Sequence, residues 1–452
     1  MYKLDSLLRQ ELIDGNVKLG VWGCGYIGLT TMLAFAKEGI YCVGYDTNSQ
    51  VIESLKRGEI HIPTLDYWLG YKPDAQLLSM IQPTNDWHDM LAKDVKVHLI
   101  AIPTENKGEP YAEPLINVID KILMRKPNRM NPDLVIIEST LTPGMFDNIL
   151  VKPIVEKGLF VGGDVLVGIA PRRDWFDSPD KNLKTLTRVI GGTDIHTSEV
   201  MKDVLSIICD HLIITKDTHI VEMVKAIENS ILHICAVYAC QVAKAYPDID
   251  VGEVFRLAGT HWRIPTYYPS VGTGGYCIPL SSKYIRDGAK EPKNLTITAV
   301  TIKEDEYQPY YIAQMMASKS NGSIGVLGLS YKRDLKVHTL SPAVKIIEQL
   351  KLLRNYVNVY DPYYTSEEIN NLVGVDTFKY PEDLSNFKGI IIVPPHRLFG
   401  QTPKSVLFKY LKKGQIILDN EGIWEKWRDD FVKAGIDYHR VGDKNWCLLP
   451  EN

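Results

Sequence analysis

The chain reads as an α/β protein with two Rossmann-like, doubly wound parallel-sheet domains joined by a long central helix. Three observations predict this. Short β-branched runs alternate with amphipathic stretches through the first half, a helical apolar repeat occupies the middle, and strand and helix patterns alternate again after Asn321-Gly322. The limits that follow are 1–205, 206–310 and 311–452.

In the first domain the strand candidates are 17–22, 41–45, 95–100, 134–138 and 165–169. In the middle, Ile220, Val224, Ile227, Ile231 and Ile234 recur at steps of three and four until Tyr246-Pro247, so a single helix spans the segment. In the last third the candidates are 323–329, 356–360, 389–393 and 415–418. The two α/β halves share an architecture but no alignable repeat, and there is no low-complexity tract.

A chain of 452 residues suits two or three domains. Its 45% hydrophobic and 23% charged residues, with a net charge of -4, leave no excess basicity to attract nucleic acid or anionic lipid. The cysteines at 24, 42, 209, 235, 240, 277 and 447 are scattered, odd in number and free of Cys-x-x-Cys spacing. Neither a disulfide framework nor a metal site is indicated, and a cytoplasmic location is expected. No apolar stretch approaches the ~18 residues of a membrane span, and the N-terminus shows no targeting pattern.

Gly23-Cys-Gly-Tyr-Ile-Gly28 directly follows the first strand and opens a helix, the context in which Gly-x-Gly-x-x-Gly binds a dinucleotide. Gly23 makes the tight turn, Gly25 lets a pyrophosphate approach the backbone, and Gly28 lets helix and strand pack closely. Asp46 ends the second strand where a carboxylate accepts the adenosine ribose hydroxyls. It would repel a 2′-phosphate, and Thr47-Asn48 offers that group no cation, so NAD is expected rather than NADP.

Further motifs follow in order: Ile102-Pro-Thr104, Glu138-Ser-Thr140 with Pro143-Gly144, Arg188-Val-Ile-Gly-Gly192, Glu222-Met-Val-Lys225 with Glu228-Asn229, and Val271-Gly-Thr-Gly-Gly-Tyr-Cys-Ile-Pro279. In the last third stand Gly328-Leu-Ser-Tyr-Lys332, Ser341-Pro342 and Val359-Tyr-Asp-Pro362. Order and spacing together resemble the family of UDP-glucose and GDP-mannose dehydrogenases, which oxidise the C6 alcohol of a nucleotide sugar to a carboxylate in two NAD-dependent steps. The resemblance implies an NAD domain, a central helix that builds a homodimer, and a C-terminal domain holding the nucleotide diphosphate of a UDP-sugar, with the active site between them. Cofactor contacts are then expected from Gly23, Gly25, Tyr26, Ile27, Gly28, Asp46, Pro103, Thr104 and Thr140.

Oxidising an alcohol to an acid takes two hydride transfers and a way to make the intermediate aldehyde oxidisable. A thiolate does this by forming a thiohemiacetal and then a thioester. Cys277 is the expected nucleophile, with Gly272, Gly274 and Gly275 letting the backbone approach substrate and cofactor. An isolated cysteine is ordinarily a small buried hydrophobe, the reading taken for Cys209, Cys235 and Cys240.

Glu222, Lys225 and Asn229 share one helix face, for which a solvated surface with an ordinary ion pair is the plainer reading. The resemblance makes Lys225 and Asn229 catalytic, Lys225 stabilising an oxyanion and Asn229 orienting water or a sugar hydroxyl. His233, one turn on, is expected to be structural. By the same resemblance Thr140 holds the reactive water or cofactor. Arg263 resembles an arginine that reaches the neighbouring subunit's sugar site, and with Glu228-Asn229 it leans towards an N-acetylhexosamine. Tyr267 and Tyr268 are candidates to stack on or enclose the nucleotide, and Tyr331 and Lys332 to contact diphosphate or sugar.

Three departures stand out. A family glutamate is replaced in Ala170-Pro171-Arg172-Arg173, a family acid is replaced by Ser281, and Leu335-Lys-Val-His-Thr339 lacks the usual Asp and Arg. The exchange makes the pocket more positive, which favours a thiolate and an acidic substrate group and puts Arg172 and Arg173 among the substrate contacts. It also weakens water activation, for which Asp174 is the candidate replacement. Two alternatives therefore stand beside the uronate-forming enzyme: a relative with slow or redirected thioester hydrolysis, and a non-catalytic protein that binds nucleotide sugar and NAD.

Overall fold

The structure, a computed structural model, describes residues 7–173, 181–320 and 322–446. It divides into two compact units, Met1–Glu228 with Asp287–Lys290, and Asn229–Arg286 with Glu291–Asn452. The division falls inside the central helix, Thr218–Ala245, which ends just before Tyr246-Pro247 as the sequence predicts.

The first unit holds an eight-stranded sheet. Its strands are β1 (Lys18–Trp22), β2 (Cys42–Tyr45), β3 (Ile81–Thr84), β4 (Val95–Ile100), β7 (Asp133–Ile137), β8 (Val165–Ile169), β9 (Arg188–Gly192) and β10 (Leu212–Ile214), with a short hairpin of β5 (Glu105–Asn106) and β6 (Glu109–Pro110) outside it. The order is β10-β9-β8-β7-β4-β1-β2-β3, so chain order reverses between β1 and β4, where such folds bind ligands. The expected parallel sheet is mixed at one edge, because β9 pairs antiparallel with β8 and β10 runs parallel to β9. A β-branched run reports burial on both faces, and a strand of either direction satisfies it.

Two charged groups inside this sheet find partners. Lys96, in the fully buried β4, meets Asp133 at 3.0 Å. At the end of β7, Glu138 Oε1 receives Arg188 Nη2 at 2.5 Å and its Oε2 receives the Thr31 hydroxyl at 2.9 Å, and both charged side chains are buried.

In the second unit, β11 (Ser323–Leu327), β12 (Tyr356–Tyr360), β13 (Gly389–Ile392), β14 (Ile416–Asp419) and β15 (Asp437–Arg440) form an all-parallel sheet in the order β12-β11-β13-β14-β15. The four runs read from sequence coincide with β11 to β14 to within two residues at either end.

The central helix inverts the surface expected of it. Its polar positions Glu222, Asn229, Ser230 and His233 are buried, whereas Ile220, Ile227 and Ile231 are 50%, 40% and 52% exposed. Among the described residues no helix is long and apolar enough to cross a membrane.

Breaking the buried Glu138–Arg188 pair leaves an uncompensated charge, so Glu138→Ala is expected to destabilise the first unit by about 3–5 kcal/mol. Denaturant unfolding measures this, and a loss below about 1 kcal/mol, the scale of an exposed pair, would contradict it.

Candidate active site

The glycine loop behaves as its spacing predicts. Gly23 has a φ of +96°, open to glycine at little cost, and its N–H donates to Tyr45 O. A Cβ on Gly28 would lie 1.8 Å from the Gly23 carbonyl oxygen, so the helix Tyr26–Lys37 can start here only with glycine at that position. Nothing lies within 4 Å of a Cβ on Gly25, and no side chain caps the helix. Open space over free N–H groups is what a pyrophosphate needs. Asp46 accepts the Cys24 and Asn48 N–H groups at 2.8 Å each, which orients its carboxylate and leaves lone pairs for ribose hydroxyls. These residues fit NAD.

The ends of β4 and β7 are tied together beside this loop. Ser139 accepts the Ile102 N–H and donates to Ile102 O, and Thr104 Oγ1 donates to Thr140 O at 2.7 Å. Thr140 is half-buried and Pro103 exposed. Glu222 is not part of a solvated face: it accepts the Gly144 and Phe146 N–H groups at 2.8 Å each. Burial pushes its carboxyl up, against the pull of those donors. Lys225 is half-buried, and its ammonium has no hydrogen-bond or ion-pair partner among the described residues.

Cys277 immediately precedes the helix Ile278–Gly288, where free N–H groups and the helix dipole favour an anion. Burial separates the thiols. Cys24, Cys42, Cys209 and Cys240 are buried, and burial pushes Cys24 and Cys42 far up and Cys240 to about 11. Cys277 is half-buried. So is Cys235, which corrects its expected full burial: it lies on the central helix, next to partly exposed neighbours at 234 and 236. Cys447 lies outside the described residues.

The glycines before Cys277 serve the protein's own packing. A Cβ on Gly274 would meet Tyr331 Cβ at 2.6 Å, and one on Gly275 would meet the Tyr331 ring at 2.6 Å, while a Cβ on Gly272 would press on Pro309. Gly275 N–H donates to Thr339 O at 2.9 Å, and the Thr339 hydroxyl donates to Tyr276 Oη. Asn229 Nδ2 donates to Ser281 Oγ at 3.1 Å, and Ser281 Oγ donates to Cys277 O at 2.6 Å.

The NAD binding domain of the UDP-glucose/GDP-mannose dehydrogenase family matches residues 17–209, its central domain residues 219–304, and its UDP binding domain residues 325–426. The chain belongs to this family. It is an NAD-dependent oxidoreductase whose substrate is a nucleotide sugar. The chain is 28% identical over 431 residues to the UDP-N-acetyl-D-mannosamine dehydrogenase of Pyrococcus horikoshii, a match covering 88% of this chain and 100% of that one. Its fold is similar to the solved UDP-D-ManNAc dehydrogenase of Pyrococcus horikoshii, with TM-score 0.79, 26% identity, and 95% and 100% of the two chains covered. It is also similar to the UDP-N-acetyl-mannosamine dehydrogenase Cap5O of Staphylococcus aureus, with TM-score 0.75, 25% identity, and 95% and 100% covered.

Against the family pattern, Arg172, which replaces the acid, and its neighbour Arg173 both have partners within the protein. Arg172 is 5% exposed and donates to the Thr31 and Thr30 hydroxyls at 2.6 and 3.2 Å and to Ile27 O. Arg173 pairs with Glu228 at 2.7 Å and donates to Thr187 O. Asp174 lies outside the described residues. Tyr331 and the half-buried Lys332 ride on a loop held by two carboxylates. Asp334 accepts from Tyr363 Oη and from Arg397 N and Nε, and Asp361 accepts the Leu329 and Tyr363 N–H groups. His396 Nδ1 accepts the Asp334 N–H, leaving the ring proton on Nε2, 3.2 Å from Asp361. Burial disfavours ionisation of both carboxyls, yet these donors hold them below the ordinary range.

Arg263 is exposed, with its guanidinium 4.5 Å over the Trp262 ring, and Tyr268 packs under Arg440 at 5.4 Å. Asp305, which bonds the glycine loop at Thr273, escaped the sequence reading. It sits on the helix Thr296–Ser320, and no local motif links it to a residue 32 positions earlier.

Gly28→Ala is expected to weaken NAD binding at least tenfold, about 1.4 kcal/mol, by displacing the loop. Calorimetric titration with NAD checks it, and an unchanged affinity would contradict the loop's role.

Proposed function

We propose that the chain oxidises the C6 alcohol of a UDP-linked N-acetylhexosamine, of the N-acetylmannosamine type, to the uronic acid, with Cys277 as covalent nucleophile. The carrying observation is the half-buried Cys277 thiol at a helix N-terminus, on a loop whose close packing only glycine permits. The sugar is supported by relatives named for UDP-N-acetyl-D-mannosamine. NAD, when bound, supplies the hydride acceptor for both oxidations. The Cys277 sulfur adds to the aldehyde carbon, loss of hydride leaves a thioester, and water cleaves the C–S bond to release carboxylate and restore the thiolate. Lys225, whose ammonium has no partner among the described residues, stabilises developing negative oxygen, and Asn229 and Thr140 orient polar groups of the reactants. Contacts to the nucleotide sugar are assigned to Tyr267, Tyr268, Tyr331, Lys332 and Arg263.

One observation favours slow hydrolysis of the thioester. The Ser281 hydroxyl, at the position of the family's acid, accepts from Asn229 and donates to Cys277 O. A serine so engaged is no proton acceptor near neutral pH.

The homodimer rests on the central helix. Ile220, Met223, Ile227 and Ile231 form an exposed apolar row whose burial against a second copy follows from the cost of leaving it in water.

Incubated with NAD and UDP-N-acetylmannosamine, the protein is expected to yield two NADH and one uronate per sugar, with a rapid NADH burst before a slower steady state if hydrolysis limits. Cys277→Ser should abolish uronate formation and leave NAD affinity within about twofold; full uronate formation by that variant would exclude the thiol mechanism. Ile227→Glu should shift the protein from dimer to monomer in light scattering, and a variant that stays dimeric would place the interface elsewhere.

A further inference from the structure

Between Val271 and Tyr276, Thr273 is the one residue with a side chain, set between glycines, and Gly272 has a φ of +120°. A segment so free loses much entropy when ordered, yet a nucleophile must be held to within about 0.5 Å of its productive position. The restraint comes from Asp305. Its Oδ1 accepts the Thr273 N–H at 2.9 Å and its Oδ2 accepts the Thr273 hydroxyl at 2.6 Å.

The segment after Cys277 is held at the same place. Ser282, on the helix Ile278–Gly288, bonds His233 Nδ1 at 2.8 Å and Ser230 Oγ at 3.2 Å. His233 Nε2 in turn lies 3.2 Å from Asp305 Oδ2. His233 and Asp305 are 1% and 7% exposed, so this close approach, in which Nε2 makes no aligned hydrogen bond, and the hydrogen bonds around it lie out of water, where a misplaced partner is costly. Burial disfavours the Asp305 carboxylate, but His233 and Thr273 together hold its carboxyl below the ordinary range.

We propose that the buried His233–Asp305 pair is the positioning brace of the nucleophile, fixing the chain before Cys277 through Thr273 and the chain after it through Ser282. The proposal rests on Cys277 being the nucleophile. His233 and Asp305 act through loop and helix, as positioning residues.

The test compares Asp305→Ala, Asp305→Asn, His233→Ala, His233→Asn and Cys277→Ser as full chains, by steady-state kinetics with NAD and UDP-N-acetylmannosamine and by thermal melting. Asp305→Ala should lower kcat roughly 10–100-fold, the scale of a small displacement of a reacting group, with KM for NAD little changed. Asp305→Asn, which keeps an acceptor for the Thr273 N–H, and His233→Asn, which keeps a partner for Ser282, should each recover part of the loss seen with alanine. If Asp305→Ala does not fold, Thr273→Val, which removes the hydroxyl contact alone, should lower kcat to a smaller extent. Folded Asp305→Ala or Thr273→Val with wild-type kcat, or asparagine variants no better than alanine, would overturn the brace while Cys277→Ser is inactive. An active Cys277→Ser would instead overturn the nucleophile.

Discussion

A hydrogen-bonding group taken out of water costs about 1–3 kcal/mol unless it is given a partner, and the central helix turns a row of such groups inward. Glu222 accepts the N–H groups of Gly144 and Phe146 in the first unit, and in the second Asn229 donates to Ser281 Oγ while Ser230 and His233 bond the Ser282 hydroxyl. Satisfying each group fixes the segment that supplies its partner. In the first unit this places the turn after β7, in the second it places the helix that follows Cys277, and the apolar row is left on the outside of the central helix.

The same economy governs the glycines. At Gly28 the obstacle to a side chain is the Gly23 carbonyl, and at Gly274 and Gly275 it is Tyr331. These positions demand glycine because protein packs against them, whereas within the 23–28 loop Gly25 alone has open space around it. A loop selected for close packing also becomes rigid, which suits a thiol that has to meet one carbon atom.

The charges that depart from the family pattern also have local partners. Arg172 is spent on Thr30, Thr31 and the Ile27 carbonyl, at the start of the glycine-loop helix, and Arg173 on Glu228. Within the first unit Arg172 and Arg173 thus bond the start of the glycine-loop helix and the central helix, a role that a net gain of positive charge does not reveal. Ser281 likewise joins Asn229 to the Cys277 carbonyl.

The sequence by itself determined nine of the strands, the glycine loop with Asp46, the extent of the central helix and the singular context of Cys277. Each is a short-range pattern of backbone freedom and apolar spacing, written within a few neighbouring residues. Only the tertiary structure decided which face of the central helix is buried, which direction β9 runs, whom Arg172 and Arg173 bond, and that Asp305 holds Thr273. Those outcomes depend on partners brought together across the chain, such as 32 residues for Asp305 and Thr273 and 141 for Arg172 and Thr31. Charge and periodicity alone carry no record of such pairings, because a polar stripe reads the same whether water or a buried partner completes it.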